Sequence, residues 1–250
     1  MKKNNIFWAI IPARSGSKSI KNKNIIKFNG HPLIAYAIAE AKKTKKIKKV
    51  LVSSDSRKYL KIAKKYGADI LHLRSKKNSS DKSTDFDFFK EIDNYLRNNL
   101  DQIHQPNFFV HLRPNCPIRR STTLNKAIKF FEKQKNRFTM RSVEEMSETG
   151  YKNFEIIDNK LKGICSRTFN IEKQNNPKEN FNKTYKANGY IDIISRKNIR
   201  KNYLHGSQVL PFIVTENVVD IDGKKDLAYV QYLFKKLKYF KYYNFKINIK

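Results

Sequence analysis

The chain has 250 residues, enough to bury a full core as one α/β domain with a small appendage. Hydrophobic residues are only 39%, but 17 Phe and 13 Tyr supply core volume, and no apolar run approaches the roughly 20 residues of a membrane span. Against 22 acidic residues stand 53 Lys and Arg, a formal net charge of +31, which suits substrates carrying phosphates and carboxylates.

A charge this large also attracts nucleic acid. However, the lysines are spread along the whole chain, often on expected helix faces such as Lys42-Lys43, Lys45-Lys46 and Lys64-Lys65, and asparagine is abundant too. That is a broad compositional bias, without a helix-turn-helix, RNP or zinc-finger pattern, so only salt-sensitive background binding to polyanions is expected. Two distant cysteines, Cys116 and Cys165, make neither a disulfide framework nor a metal knuckle. The basic start before Ile6 imitates a signal peptide, but Pro12 and Arg14 end the apolar run too early. A soluble, cytoplasmic protein is expected.

The run Ile6 to Ile11 does not alternate with polar residues, which predicts a buried parallel strand. It empties into Pro12-Ala13-Arg14-Ser15-Gly16-Ser17-Lys18-Ser19, rich in small, hydroxylated and basic residues. Such a loop can aim N–H groups, hydroxyls and cationic side chains at one phosphate. It is neither a Walker loop nor a Gly-x-Gly-x-x-Gly turn, and an ordinary basic surface loop is the competing reading. A helix follows from Leu33, then a strand Val50 to Val52, with Ser53-Ser54-Asp55 offering caps to a helix that Gly67 stops. Ile70 to Leu73 is a third strand, Thr84 to Leu100 a helix, Phe108 to Leu112 a strand and Ser121 to Gln134 a helix. Strands alternating with helices over short connections predict a doubly wound, mostly parallel sheet, with ligands at the carboxyl ends of its strands. Phe138 to Val143 is a further strand, after which the rhythm breaks. Phe154 to Ile164 reads as a hairpin turning at Asp158-Asn159. Near the end, Asp220-Ile221-Asp222 reads as a strand with both carboxylates on one face, a pattern that suits Mg²⁺, followed by a helix from Lys224 to Leu237. Helix capping by one of the two aspartates is the plainer alternative.

Ile11 to Lys18, then Lys23-Asn24-Ile25 and Gly30-His31-Pro32-Leu33-Ile34, resemble the opening of the CMP-sialic acid synthetases, which are sugar cytidylyltransferases with a Rossmann-like nucleotidyltransferase fold. Leu73-Arg74 with Ser80-Asp81-Lys82-Ser83-Thr84 is similar to that family's next segment, and Leu112 to Arg119 to its Leu-Gln-Pro-Thr-Ser-Pro-Leu-Arg, with Arg113 in place of the glutamine. Asn188-Gly189-Tyr190-Ile191-Asp192-Ile193 resembles Asn-Gly-x-Ile-Tyr-Ile, with Asp192 where tyrosine is commonest, and Pro177-Lys178-Glu179 departs from Pro-Arg-Gln. The resemblance spans roughly residues 6 to 235 and is weakest across 140–185.

The resemblance implies transfer of CMP from CTP to a sialic-acid-like nonulosonic acid, releasing pyrophosphate. It implies nucleotide binding by Ala13, Arg14, Ser17, Lys18, Lys23, Asn24, Arg74 and Thr84, with Arg14 and Lys23 also acting in catalysis. Asp220 and Asp222 would carry Mg²⁺ in the catalytic site, and Arg113, Asn188 and Asp192 would border the sugar acid. Arg113 is expected to grip the sugar carboxylate as a bidentate fork, unless it pairs internally with Asp192. Residues 144–186 would form a dimerisation arm on an otherwise single domain. Another sugar acid such as 3-deoxy-octulosonate is the near alternative, although such relatives usually lack the Lys23-Asn24-Ile25 pattern. A basic nucleic-acid-binding protein on a related fold is the distant one.

Overall fold

An apolar strand that cannot leave either face in water must be covered on both sides, and the fold does this. In the computed structural model, which describes residues 5–135, 139–243 and 245, β1 (Phe7–Pro12) is flanked on both edges by parallel strands. The chain continues through a short ribbon of β2 (Lys27–Phe28) and β3 (His31–Pro32) into α1 (Leu33–Lys43), β4 (Ile47–Ser54), α2 (Arg57–Lys65), β5 (Ile70–Leu73), α3 (Asp85–Asn99), β6 (Phe108–His111) and α4 (Ser121–Lys133). Next come β7 (Thr139–Glu145), the hairpin β8 (Phe154–Ile157) and β9 (Lys160–Gly163), β10 (Tyr185–Ser195), α5 (Arg196–Arg200), β11 (Val209–Ile213) and α6 (Lys224–Lys236).

The main sheet has the order β11-β7-β10-β6-β1-β4-β5, and β10 alone runs antiparallel to its neighbours. Successive residues of β1 point to opposite layers. Phe7, Ala9 and Ile11 pack with α1, α2 and α4, while Trp8 and Ile10 pack with Phe88, Phe89, Ile92 and Leu96 of α3 and with Ile199 of α5. This is the expected doubly wound arrangement. A third cluster holds α6 against α1 and the β2–β3 ribbon through Phe28, Leu33, Tyr36, Val230, Leu233 and Phe234. Among the described residues no helix is long and apolar enough to cross a membrane.

Several local expectations change. The second helix is capped by Ser56, whose hydroxyl accepts from the Tyr59 N–H, and not by residues 53–55. The strand expected from Phe138 begins at Thr139 among the described residues, and Phe138 itself lies outside them. The hairpin turns at Asp158 and Asn159, both left-handed (φ 49° and 58°), as a two-residue turn between twisted strands requires. Edge strand β11 and the one-turn α5 were not expected. Pro211 sits inside β11, which argues against a strand in sequence but is tolerated at a sheet edge. Asp220-Ile221-Asp222 is not a strand of any sheet. It is a connecting segment pinned by the Ile221 N–H, which donates to the Asn115 carbonyl at 2.8 Å.

Candidate active site

The loop after β1 is held in shape before any charged side chain is considered. Ala13, fully buried, donates its N–H to the Ser53 carbonyl at 2.8 Å and extends the β1–β4 pairing by one residue. Asp55 accepts from both the Ser15 N–H (2.8 Å) and the Ser15 hydroxyl (2.7 Å). Buried Asn24 donates its amide to the Arg14 carbonyl at 2.9 Å, and left-handed Asn22 accepts from the Tyr59 hydroxyl. Asp55 was read in sequence as a helix cap; its work is to fix the loop.

From this frame Arg14 and Lys23 line one pocket of about 310 Å³ at the carboxyl end of β1. Arg14 and Lys18 both reach Asp81, at 2.9 and 2.7 Å, and Lys18 lies at the exposed rim. Lys23 is more enclosed, and its ammonium donates to the Ile221 carbonyl (2.9 Å) and to Asp222 (3.1 Å). Ser17 lies in the same loop, where its N–H donates to the Ser15 carbonyl.

The opposite wall runs from Arg74 to Phe88. Arg74 is buried, stacks 4.2 Å from the centre of the Phe88 ring, and donates to the Ser53 hydroxyl and carbonyl, both at 3.2 Å. Burial lowers its pKa to about 10, against the pull of Asp55, Glu91 and Asp85, so it stays charged at neutral pH. Glu91 anchors the loop beyond it, accepting from the Ser75 N–H, the Ser75 hydroxyl and the Asn78 amide. Burial raises the Glu91 pKa, but these bonds outweigh it and leave the carboxyl below its usual value. Thr84 caps α3 through a reciprocal box with Asp87. Its place on the pocket wall follows from that helix start.

The third wall is Arg113, Pro114 and Asn115. Here the pairing left open in the sequence, between Arg113 and Asp192, is present. Arg113 does not present a free fork: one nitrogen donates to Asp192 at 3.0 Å and another to Asp85 at 2.9 Å. The β10 register sets Asp192 between His111 of β6 and Arg141 of β7, fully buried, so it is the counter-charge behind Arg113 and lines no part of the pocket. Asn188 is also buried behind the wall, accepting from the Tyr190 N–H.

Asp220 and Asp222 differ sharply. Asp222 is exposed and paired to Lys23, whereas Asp220 is half-buried with its Oδ1 enclosed and without a hydrogen-bond partner. Burial raises the Asp220 carboxyl, the Arg119 guanidinium opposes that, and Asp222 adds to it. An enclosed, unpartnered carboxylate oxygen fits a hard cation better than it fits a helix cap. The N-cap of α6 is in fact Gly223, and Asp226 in the first turn supplies the capping carboxylate, accepting from the Asp222 and Gly223 N–H groups. Among the described residues no cluster of three or more His, Cys, Asp or Glu could hold a metal, so any cation here would rely on these two carboxylates and on ligand oxygens.

Residues 8–213 match the family described as cytidylyltransferase. The chain belongs to the cytidylyltransferase family. An N-acylneuraminate cytidylyltransferase of Escherichia coli O18:K1:H7 is 30% identical over 220 residues, covering 87% of this chain but 49% of that protein, so the chain spans about half the length of this relative. A CMP-N,N'-diacetyllegionaminic acid synthase of Legionella pneumophila is 27% identical over 90% of this chain and 94% of its own length. Among solved structures, a CMP:2-keto-3-deoxy-manno-octonic acid synthetase complexed with CTP superposes with a TM-score of 0.68 at 14% identity, covering 93% of this chain and all of that one. At that identity the likeness shows the cytidylyltransferase fold alone.

Proposed function

We propose that this cytidylyltransferase joins CMP from CTP to a sialic-acid-like nonulosonic acid, releasing pyrophosphate, and that it acts in the cytoplasm as a homodimer. The carrying observation is that Arg14 and Lys23 line one pocket at the carboxyl end of the central strand, with Lys18 beside Arg14 on Asp81 and with Lys23 bonded to the segment that carries Asp220 and Asp222. The present partners of these cations, Asp81 and Asp222, are largely exposed, and such pairs are worth only about 0.2–1 kcal/mol. A triphosphate carries several charges and outcompetes them. Relatives named for N-acylneuraminate and diacetyllegionaminic acid support the sugar class.

In this reading Arg74 and Asn24 face the nucleoside, while the loop cations align the triphosphate and take up charge as pyrophosphate departs. Asp220 and Asp222 would hold Mg²⁺, with Ala13 and Ser17 shaping the loop and Thr84 the facing wall. When bound, the cation supplies charge neutralisation on the phosphates. Support for the dimer comes from the arm 144–186, which leaves Phe154, Ile156, Leu161, Ile164 and Phe169 exposed around its hairpin. Single exposed apolar residues are ordinary, but five on one small excursion suit a covered surface.

The test is pyrophosphate release from CTP, ATP, GTP or UTP offered with a panel of sugar acids. Turnover confined to CTP with a nonulosonic acid, and lost in chelator, is expected. Equal use of the four nucleotides would defeat the assignment. Light scattering at micromolar concentration should report a dimer, and a fully active monomer would remove the arm's proposed role.

A further inference from the structure

Gly189 occupies a bulge of β10, where the pairing with β7 shifts register between Ala187 and Asp192, and its φ is +64°. Left-handed backbone alone does not explain the glycine. This chain fills other positive-φ positions with asparagine, at Asn22, Asn29, Asn159 and Asn202. What distinguishes position 189 is the space its missing side chain leaves. A Cβ there would lie 3.0 Å from Asp220 Oδ2, 3.3 Å from Oδ1 and 3.5 Å from Cγ. The Asp220 carboxylate therefore turns its oxygens toward the bare backbone of Gly189.

That backbone is itself clamped. Buried Arg119 donates to the Tyr190 carbonyl at 2.7 Å, to the Gly189 carbonyl at 3.2 Å, and to the Arg113 carbonyl at 3.3 and 3.4 Å. It thus ties the bulge to the pocket wall. From the other side, the Ile221 N–H bond to Asn115 fixes the segment that carries Asp220. The carboxylate is caught between two pinned pieces of main chain, with its Oδ1 enclosed and unpartnered.

We propose that Gly189 is a positioning residue for the nucleotidyl-transfer site: its absent side chain, on main chain held by Arg119, lets the Asp220 carboxylate seat at the depth needed to bind a divalent cation. This rests on the reading of Asp220 as a cation ligand. A methyl group at 189 meets the far end of one side chain rather than backbone, so beyond the strain of a side chain at positive φ, which Gly67→Ala shares, its effect is to move the ligand.

The experiment compares wild type, Gly189→Ala, Gly67→Ala, Asp220→Asn and the Gly189→Ala/Asp220→Asn double variant. Mn²⁺ is titrated into protein holding CTP without sugar acid, with the free ion counted by its EPR signal against the same titration of CTP alone, and thermal melts and CTP turnover are measured alongside. Gly67 is the strain control, since its φ is +94° and a Cβ there meets nothing within 4 Å. Gly189→Ala should weaken Mn²⁺ binding about ten-fold or more, in the range seen when groups supporting a metal ligand are altered. Gly67→Ala should lower only the melting temperature, and the double variant should bind no worse than Asp220→Asn alone. Wild-type Mn²⁺ affinity retained in Gly189→Ala, or an equal loss in Gly67→Ala, overturns the proposal. Equal Mn²⁺ binding by wild type and Asp220→Asn overturns instead the cation site on which it rests.

Discussion

The two sides of the pocket use positive charge in opposite ways. On the loop after β1, Arg14, Lys18 and Lys23 sit on a frame built by hydrogen bonds of Asp55 and Asn24 to main chain and to the Ser15 hydroxyl, and the acids they pair with are exposed. On the wall after β6, Arg113 is bound to two carboxylates and Arg119 is wholly buried against four donor–acceptor contacts with carbonyls. Charge held loosely is free to meet a polyanion, whereas charge held tightly is scaffold. The same residue type thus serves binding on one wall and architecture on the other, and the buried partners of the second wall, Asp192 and the carbonyls held by Arg119, separate the two.

The comparison is broken most severely at Asp220, where the two walls meet. Asp220→Asn should cut CTP turnover by about two orders of magnitude or more while the melting temperature stays near wild type. Unimpaired turnover at low Mg²⁺ would remove it from the site.

On the scaffold side, Arg113→Gln leaves Asp192 buried without its main counter-charge, and loss of one partner of a buried pair costs about 3–5 kcal/mol. Urea unfolding should show a loss of that order, partly restored in Arg113→Gln/Asp192→Asn. Additive losses in the double variant would show that the pair is not the source.

Lys23→Ala sharpens the loop side. Charge on departing pyrophosphate grows in the transition state, so kcat should fall by about 10-fold or more with little change in the CTP Michaelis constant. An effect on the Michaelis constant alone would place Lys23 in ground-state binding.

Asp81→Asn removes the acid that now occupies Arg14 and Lys18. If their pairing is loose, CTP should bind about two- to five-fold more tightly by calorimetry, as expected for exposed pairs of under 1 kcal/mol. Weaker binding would mean that Asp81 organises the loop instead of competing for it.

The smallest effect concerns pH. The Glu91 pKa is lowered in the folded chain, so its contribution to stability is full above the ordinary value of 4.5 and fades as pH falls through the folded value. Below pH 4.5 the wild type should therefore lose stability faster than Glu91→Gln, in denaturant midpoints measured across that range.

Periodicity and local turn chemistry made much of this fold legible. The parallel strands β1, β4, β5 and β6 are covered on both faces, so their apolar runs had to be continuous, and Gly67, Thr84 and Asp158-Asn159 carry helix stops, caps and turns within a few residues. The opening loop was legible for the same reason, because its hydroxyls, glycine and cations are neighbours in the chain. What tertiary structure alone decided depends on partners far apart in sequence. Asp192 becomes the mate of Arg113 only through the antiparallel register of β10 on β6, and Asp55 grips Ser15 only because β4 lies beside β1. β11 exists because the free edge of β7 offers hydrogen bonds to a segment with little strand character of its own. Asp220 and Asp222 share a motif, yet one is enclosed and the other open. Burial is set by what the rest of the chain folds against a residue, and no local spacing encodes it.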